Sequence, residues 1–320
     1  MLRNRPVLAY VLLCYAITWG VLFALPFIVG RDWSLLKAAV GMAMGPGLAA
    51  IVLDRSRSGR PTWPLFVLIA SIVLAIELSI LITGDARSAD EFRKVVPPGL
   101  TPISIGSAIA AALVCATIFA SAARSANPIL SSVTRWRVPL RWWAVALFLP
   151  AVLLGAGWLA ERAFGEVPGD PLMGGLPFAT WSWFTARAVL FTFLVVGIGE
   201  EVGWRGWMLP ELQKRFSPLT SSILLGLVWG FWHFPLFVIG VYPGGPESVV
   251  EYLVFGPLLA ILFTWLFNRT GGNLLLCMAL HAAINNSPRF IPGSAVFPVL
   301  LLGFIVAVIV RDRMWVRRTE

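Results

Sequence analysis

Residues 6–29 read PVLAYVLLCYAITWGVLFALPFIV, about 24 positions without one charged side chain. A helix rises about 1.5 Å per residue, so this stretch reaches the roughly 30 Å needed to cross a bilayer's hydrocarbon core. Arg3 and Arg5 precede it, a pattern that also opens secretory signals. The apolar region of a signal is shorter, about 7–15 residues, and ends at a small-residue cleavage site. No A-x-A site follows here. The stretch is expected to be an uncleaved first membrane span.

Comparable apolar runs recur at 33–53, 62–82, 100–122, 139–160, 178–199, 219–241, 249–268, 272–286 and 294–310. The fourth span of the ten is rich in Ala, Ser and Thr, and the ninth is short enough to be a buried or tilted segment. Ten spans are therefore expected, with eight or nine also compatible with the sequence. Composition excludes a water-soluble fold. Of the 320 residues, 58% are apolar and only 13% charged, with 15 Trp, 21 Phe and a mean hydropathy of +0.82. Soluble domains carry about 25% charged residues to cover their surface. The expected class is all-α, a polytopic transmembrane helical bundle whose natural partners are membrane lipids.

The net charge of +9 does not point to nucleic acid, because in a membrane protein excess Lys and Arg mark cytoplasmic loops. With the N-terminus inside, 17 of the 25 cationic residues fall on inner segments. They include Arg55, Arg57, Arg60, Arg124, Arg135, Arg137, Arg141, Lys214, Arg269 and Arg311. Only Arg31, Lys37, Arg87, Arg93, Lys94, Arg162 and Arg289 fall outside, and Arg187 lies within a span. Both termini are expected in the cytoplasm, and the bacterial plasma membrane is the expected location. Cys14, Cys115 and Cys277 are scattered through apolar runs, which fits neither a disulfide framework nor a cysteine zinc site. No internal repeat of the kind seen in many transporters is visible.

Polar chemistry concentrates in three of these spans. The sixth ends in Gly199-Glu200-Glu201-Val202-Gly203-Trp204-Arg205-Gly206, the seventh carries Trp229-Gly230-Phe231-Trp232-His233, and the ninth carries His281-Ala282-Ala283-Ile284-Asn285-Asn286. Both histidines of the chain lie in apolar spans. Taken singly, each feature has a structural reading. Glu201 and Arg205 have the spacing of an ordinary i,i+4 ion pair, and a lone intramembrane His or Asn often serves as packing glue between helices. Taken together they are harder to dismiss, because ionisable groups at membrane depth are costly and usually face a partner or an aqueous cavity. His281 and Asn285 have the spacing of one helical face. Glycines 197, 199, 203 and 206 would let neighbouring helices come close to the two glutamates.

Glu-Glu-x-x-x-Arg, then Trp229 four residues before His233, then His-x-x-x-Asn, on separate spans in this order, resembles the CPBP family. These are the CAAX-type prenyl endopeptidases and bacteriocin-processing proteins, also called the Abi family. Asn268-Arg269-Thr270-Gly271-Gly272-Asn273 is similar to the family's approach to its last motif. The resemblance covers about residues 178–310. Two departures stand out. The family's second motif usually begins with Phe, so Trp229 is read as packing. The family core has about eight helices against ten expected here.

The resemblance implies hydrolysis of a peptide bond in a membrane cavity open to the cytoplasm, on a peptide or protein substrate that is lipid-modified in part of the family. Two mechanisms remain open at this stage. In one, Glu200 is the base that activates water, His233 orients the water, His281 and Asn285 line the oxyanion site, and Glu201 with Arg205 fixes the helix end. In the other, Glu200, His233 and His281 hold Zn²⁺, which activates the water. The glutamate route is favoured, since Asn285 is a poor zinc ligand and a good oxyanion donor. A proton-coupled carrier, or a silent relative serving as an immunity or scaffold protein, are the readings from other classes. The expected organisation is N-terminal helices at 1–177, a protease-like core at 178–310 and a basic cytoplasmic tail at 311–320.

Overall fold

The computed structural model describes residues 5–30, 44–54, 63–84, 93–94, 97, 99–166, 169–171 and 174–317. Among these the secondary structure is helical, without a strand. The elements are α1 (Pro6–Val29), α2 (Gly45–Leu53), α3 (Trp63–Thr83), α4 (Pro102–Ala123), α5 (Leu140–Ala163) and the long α6 (Phe178–Gln213). Then come α7 (Pro218–Trp232), α8 (Phe234–Val238), α9 (Val249–Arg269), α10 (Leu274–Asn286) and α11 (Phe297–Arg311). Seven helices among the described residues are long and apolar enough to cross a membrane. The chain is a polytopic helical membrane protein. Each of the ten expected spans coincides with helix, although residues 33–43 of the second lie outside the described residues. The three cysteines are free and buried.

The structure departs from the expected boundaries where the polar motifs lie. The sixth span was expected to stop at residue 199, but α6 runs on to Gln213. Two π-helical turns, Thr192–Val196 and Trp204–Met208, bracket the segment Gly197–Gly203 that carries both glutamates. A π-turn inserts an extra residue into the helical ladder and re-aims the side chains that follow it. The seventh span breaks in two at His233. Pro235 cannot donate to the carbonyl four residues back and its ring crowds that turn, so α7 stops at Trp232 and α8 starts at Phe234.

Packing then fixes these segments. Gly226 and Gly230 of α7 lie so close to α9 that a Cβ on either would overlap the backbone of Pro257 or Tyr252. Gly203 of α6 meets Pro46 of α2 and Tyr10 of α1 in the same way. Gly226→Ala is expected to cost about 1–3 kcal/mol by overpacking, read as a lowered melting temperature in detergent. An unshifted melt would show that α7 and α9 do not pack this closely. From α1, Tyr15 Oη donates to Val228 O (2.6 Å) and Trp19 Nε1 to Trp232 O (3.2 Å). The second bond satisfies a carbonyl freed by the break at His233. Arg187, the cation inside a span, donates to Gly84 O (2.6 Å) and Ser79 O (3.3 Å) at the C-terminal end of α3. A helix C-terminus carries partial negative charge, so this end suits a cation.

The ninth span is the short helix α10, and most of its side chains are buried. Its start is tightly held. Asn273 Oδ1 caps it by accepting from Leu276 N (3.0 Å), and Asn273 Nδ2 donates to Arg135 O (2.8 Å). Ser132 accepts from Leu274 N (3.0 Å) and donates to Gly272 O (2.8 Å). Residues 312–317 fold back against the same end of the molecule. Leu219 N donates to Met314 O (2.9 Å), and Arg269 pairs with Asp312. Arg135, Lys214, Arg269 and Arg317 all meet partners at this end, which makes it basic.

Candidate active site

Consecutive residues on a helix point about 100° apart, and this separates the two glutamates. Glu200 faces α7 and accepts from Trp229 Nε1 through Oε2 at 2.7 Å. Glu201 faces α10, where its Oε1 accepts from His281 Nδ1 at 2.7 Å and from Arg205 Nη1, one turn along α6, at 3.0 Å. The Arg205 guanidinium lies between two aromatic faces, 3.9 Å from the Phe263 centroid and 4.6 Å from that of Trp229. Such stacking suits a planar, weakly hydrated cation.

His233 sits at the break after α7 and bonds Trp229 O through Nδ1 at 2.8 Å. A carbonyl can only accept, so Nδ1 carries the proton and Nε2 keeps its lone pair. Tyr252 and Tyr242 approach the other side of this ring, with centroids at 4.9 and 6.1 Å. Trp229 is the hub of the arrangement. Its ring lies 5.9 Å from His233, 6.0 Å from His281 and 5.9 Å from Phe263.

Burial separates two sets of groups. Glu201 and Arg205 are 0% exposed, whereas Glu200, His233 and His281 keep 7%, 8% and 5%. The first two form a sealed ion pair, and the other three retain a little open surface. The structure thus draws Glu200, Glu201, Arg205, His233 and His281 into one cluster on α6, α7 and α10. Glu201, expected only as the partner of Arg205, also holds His281.

Asn285 does not join them. It lies one turn beyond His281 near the end of α10 and is exposed. Its neighbour Asn286, which the sequence reading passed over, is buried. Asn286 Nδ2 donates to Ala282 O (2.9 Å) and to Thr192 Oγ1 (3.2 Å) in the first π-turn, and its Oδ1 accepts from Arg289 Nε (3.1 Å). Trp229 was missed as well. Read as packing, it is also the donor to Glu200; the signal was the indole N–H that a Phe lacks. The suggested zinc ligands Glu200, His233 and His281 do not form a metal cradle, because no group of three His, Cys, Asp or Glu side chains among the described residues could hold an ion.

One carboxylate, two oriented imidazoles and a sealed Glu–Arg pair thus meet within the membrane-spanning bundle, carried on α6, on α10 and at the break after α7. Residues 181–287 match the family model of the type II CAAX prenyl endopeptidases, Rce1-like. The CAAX prenyl protease 2 of Methanococcus maripaludis is 31% identical over 147 residues, 44% of this chain and 53% of the relative. The chain therefore spans about half the length of that curated relative. Over this core the chain is similar to the CPBP family of CAAX-type intramembrane proteases.

Proposed function

We propose that the protein is an intramembrane endopeptidase in which Glu200 activates the attacking water. The observation that carries this reading is the division of labour between the two carboxylates. Glu201 is committed to Arg205 and His281, while Glu200 gives one oxygen to Trp229 and retains some exposure. In the proposed reaction Glu200 takes a proton from water as the hydroxide oxygen attacks the peptide carbonyl carbon. The lone pair of His233 Nε2 helps orient that water. His281, as the imidazolium whose Nδ1–H is held by Glu201, donates Nε2–H to the developing oxyanion. Glu200 then returns the proton to the leaving amine as the C–N bond breaks. The test is comparative proteomics of wild-type and Glu200→Gln strains. Membrane proteins that accumulate uncut in the variant support the reading, and identical terminal peptides contradict it.

The substrate proposed is a peptide segment at the membrane surface, with a lipid-modified cysteine as the first candidate because the relative is named a CAAX prenyl protease. With both termini and the basic end in the cytoplasm, as the charge pattern favours, Glu200 lies 13 residues from the α6 terminus Gln213, about 20 Å along the helix. A cavity open to the cytoplasm must be that deep. Asn285→Cys tests on which side it opens, because the native cysteines are buried and the substitution would add an exposed thiol one turn from His281. Labelling by a membrane-impermeant maleimide from the cytoplasmic side is expected. Labelling from the opposite side alone would move the mouth to the other face.

A further inference from the structure

We propose that Trp229 is a positioning residue that aligns Glu200 and His233 for the same water. The inference rests on the catalytic reading of Glu200 above. Two independent bonds leave Trp229, one from its side chain and one from its backbone. Its indole N–H holds Glu200 Oε2 at 2.7 Å, and its carbonyl holds the His233 Nδ1 proton at 2.8 Å. The first is a charge-assisted bond in a water-poor setting, where such bonds are short and strong. It fixes the rotation of the carboxylate and leaves Oε1, which accepts no bond among the described residues, as the free oxygen. The second sets the tautomer that keeps His233 Nε2 as an acceptor. Base and water-orienting imidazole are thereby tied to one residue on a helix locked against α9 by Gly226 and Gly230.

Packing alone does not account for the indole nitrogen. Trp204 and Trp232 are buried as well, and Trp232 Nε1, three residues on, is buried without a partner among the described residues. Trp232→Phe therefore removes the same atoms from the same helix without removing a bond. Catalysis is steep in geometry, since misplacing a reacting group by about 1 Å can cost about 100-fold.

Trp229→Phe, Trp232→Phe and Glu200→Ala are to be purified and assayed on a farnesylated CAAX-type peptide. Trp229→Phe is expected to lower kcat by about 10- to 100-fold with KM within about twofold, as for a lost orienting contact. Trp232→Phe is expected to stay within about threefold of wild type. Equal kcat values for the two Phe variants would overturn the role of Trp229, whereas an active Glu200→Ala would overturn the catalytic reading itself. A second measurement needs neither substrate nor a folded Trp229 variant. The indole ¹⁵N–¹H resonance of Trp229 should move upfield in Glu200→Ala, and an unmoved resonance would show that the bond is absent.

Discussion

Glu200→Gln is expected to abolish proteolysis, lowering kcat by about 10³-fold or more, while the protein still inserts and melts near the wild-type temperature. Removing a general base costs typically 10²–10⁴-fold, and here the remaining carboxylate cannot substitute. Glu201 is fully buried and shares its Oε1 between Arg205 and His281. Gln keeps the shape of Glu and an oxygen for the Trp229 N–H, so packing survives while basicity is lost. His233→Ala should be similarly inactive, because the imidazole whose Nε2 orients water is gone. Initial cleavage rates on membranes, normalised to inserted protein, check both. Near wild-type cleavage by Glu200→Gln would assign the base elsewhere.

Arg205→Leu is expected to destabilise the fold by about 3–5 kcal/mol, the range for breaking a buried ion pair. The cost comes from what remains. Glu201 would be left as an uncompensated carboxylate with only His281 to share its charge. Its Oε2 already lacks a partner among the described residues. The guanidinium also fills the gap between Phe263 and Trp229, so its loss loosens the hub of the site. Denaturant titration in detergent should show each single variant, Arg205→Leu and Glu201→Leu, less stable than the double variant. Single variants within about 0.5 kcal/mol of wild type would show that the pair is not sealed.

The helices were legible because a membrane leaves few options. Backbone groups in lipid must pair within their own segment, so apolar runs of sufficient length become helices. The cluster was legible because its members are costly at that depth, and Glu200, Glu201, Arg205, His233 and His281 stood out against apolar sequence. What was not legible depended on rotation and register. The π-turns at Thr192–Val196 and Trp204–Met208 shift α6 out of simple helical phase, and nothing in apolar composition announces them. The spacing of His281 and Asn285 implied a shared face. Both do lie on α10, yet a shared face does not fix depth: one turn beyond His281 the helix has reached the surface at Asn285, while Asn286 on the neighbouring face is buried. Trp229 looked like bulk because its ring dominates its composition, and the donor that reaches Glu200 is a single nitrogen. The docking of residues 312–317 was hidden for a similar reason: a short basic tail shows its charge but not the carbonyl of Met314 that Leu219 uses.

The central claim is that Glu200 drives hydrolysis of a peptide bond by water. Purified wild-type and Glu200→Gln protein should be incubated with the same membrane substrate in ¹⁸O-labelled water, and the new termini read by mass spectrometry. The account predicts a new C-terminus carrying one heavy oxygen with wild-type protein and none with the variant. The same labelled terminus appearing with Glu200→Gln, or no new terminus with either protein, would contradict it.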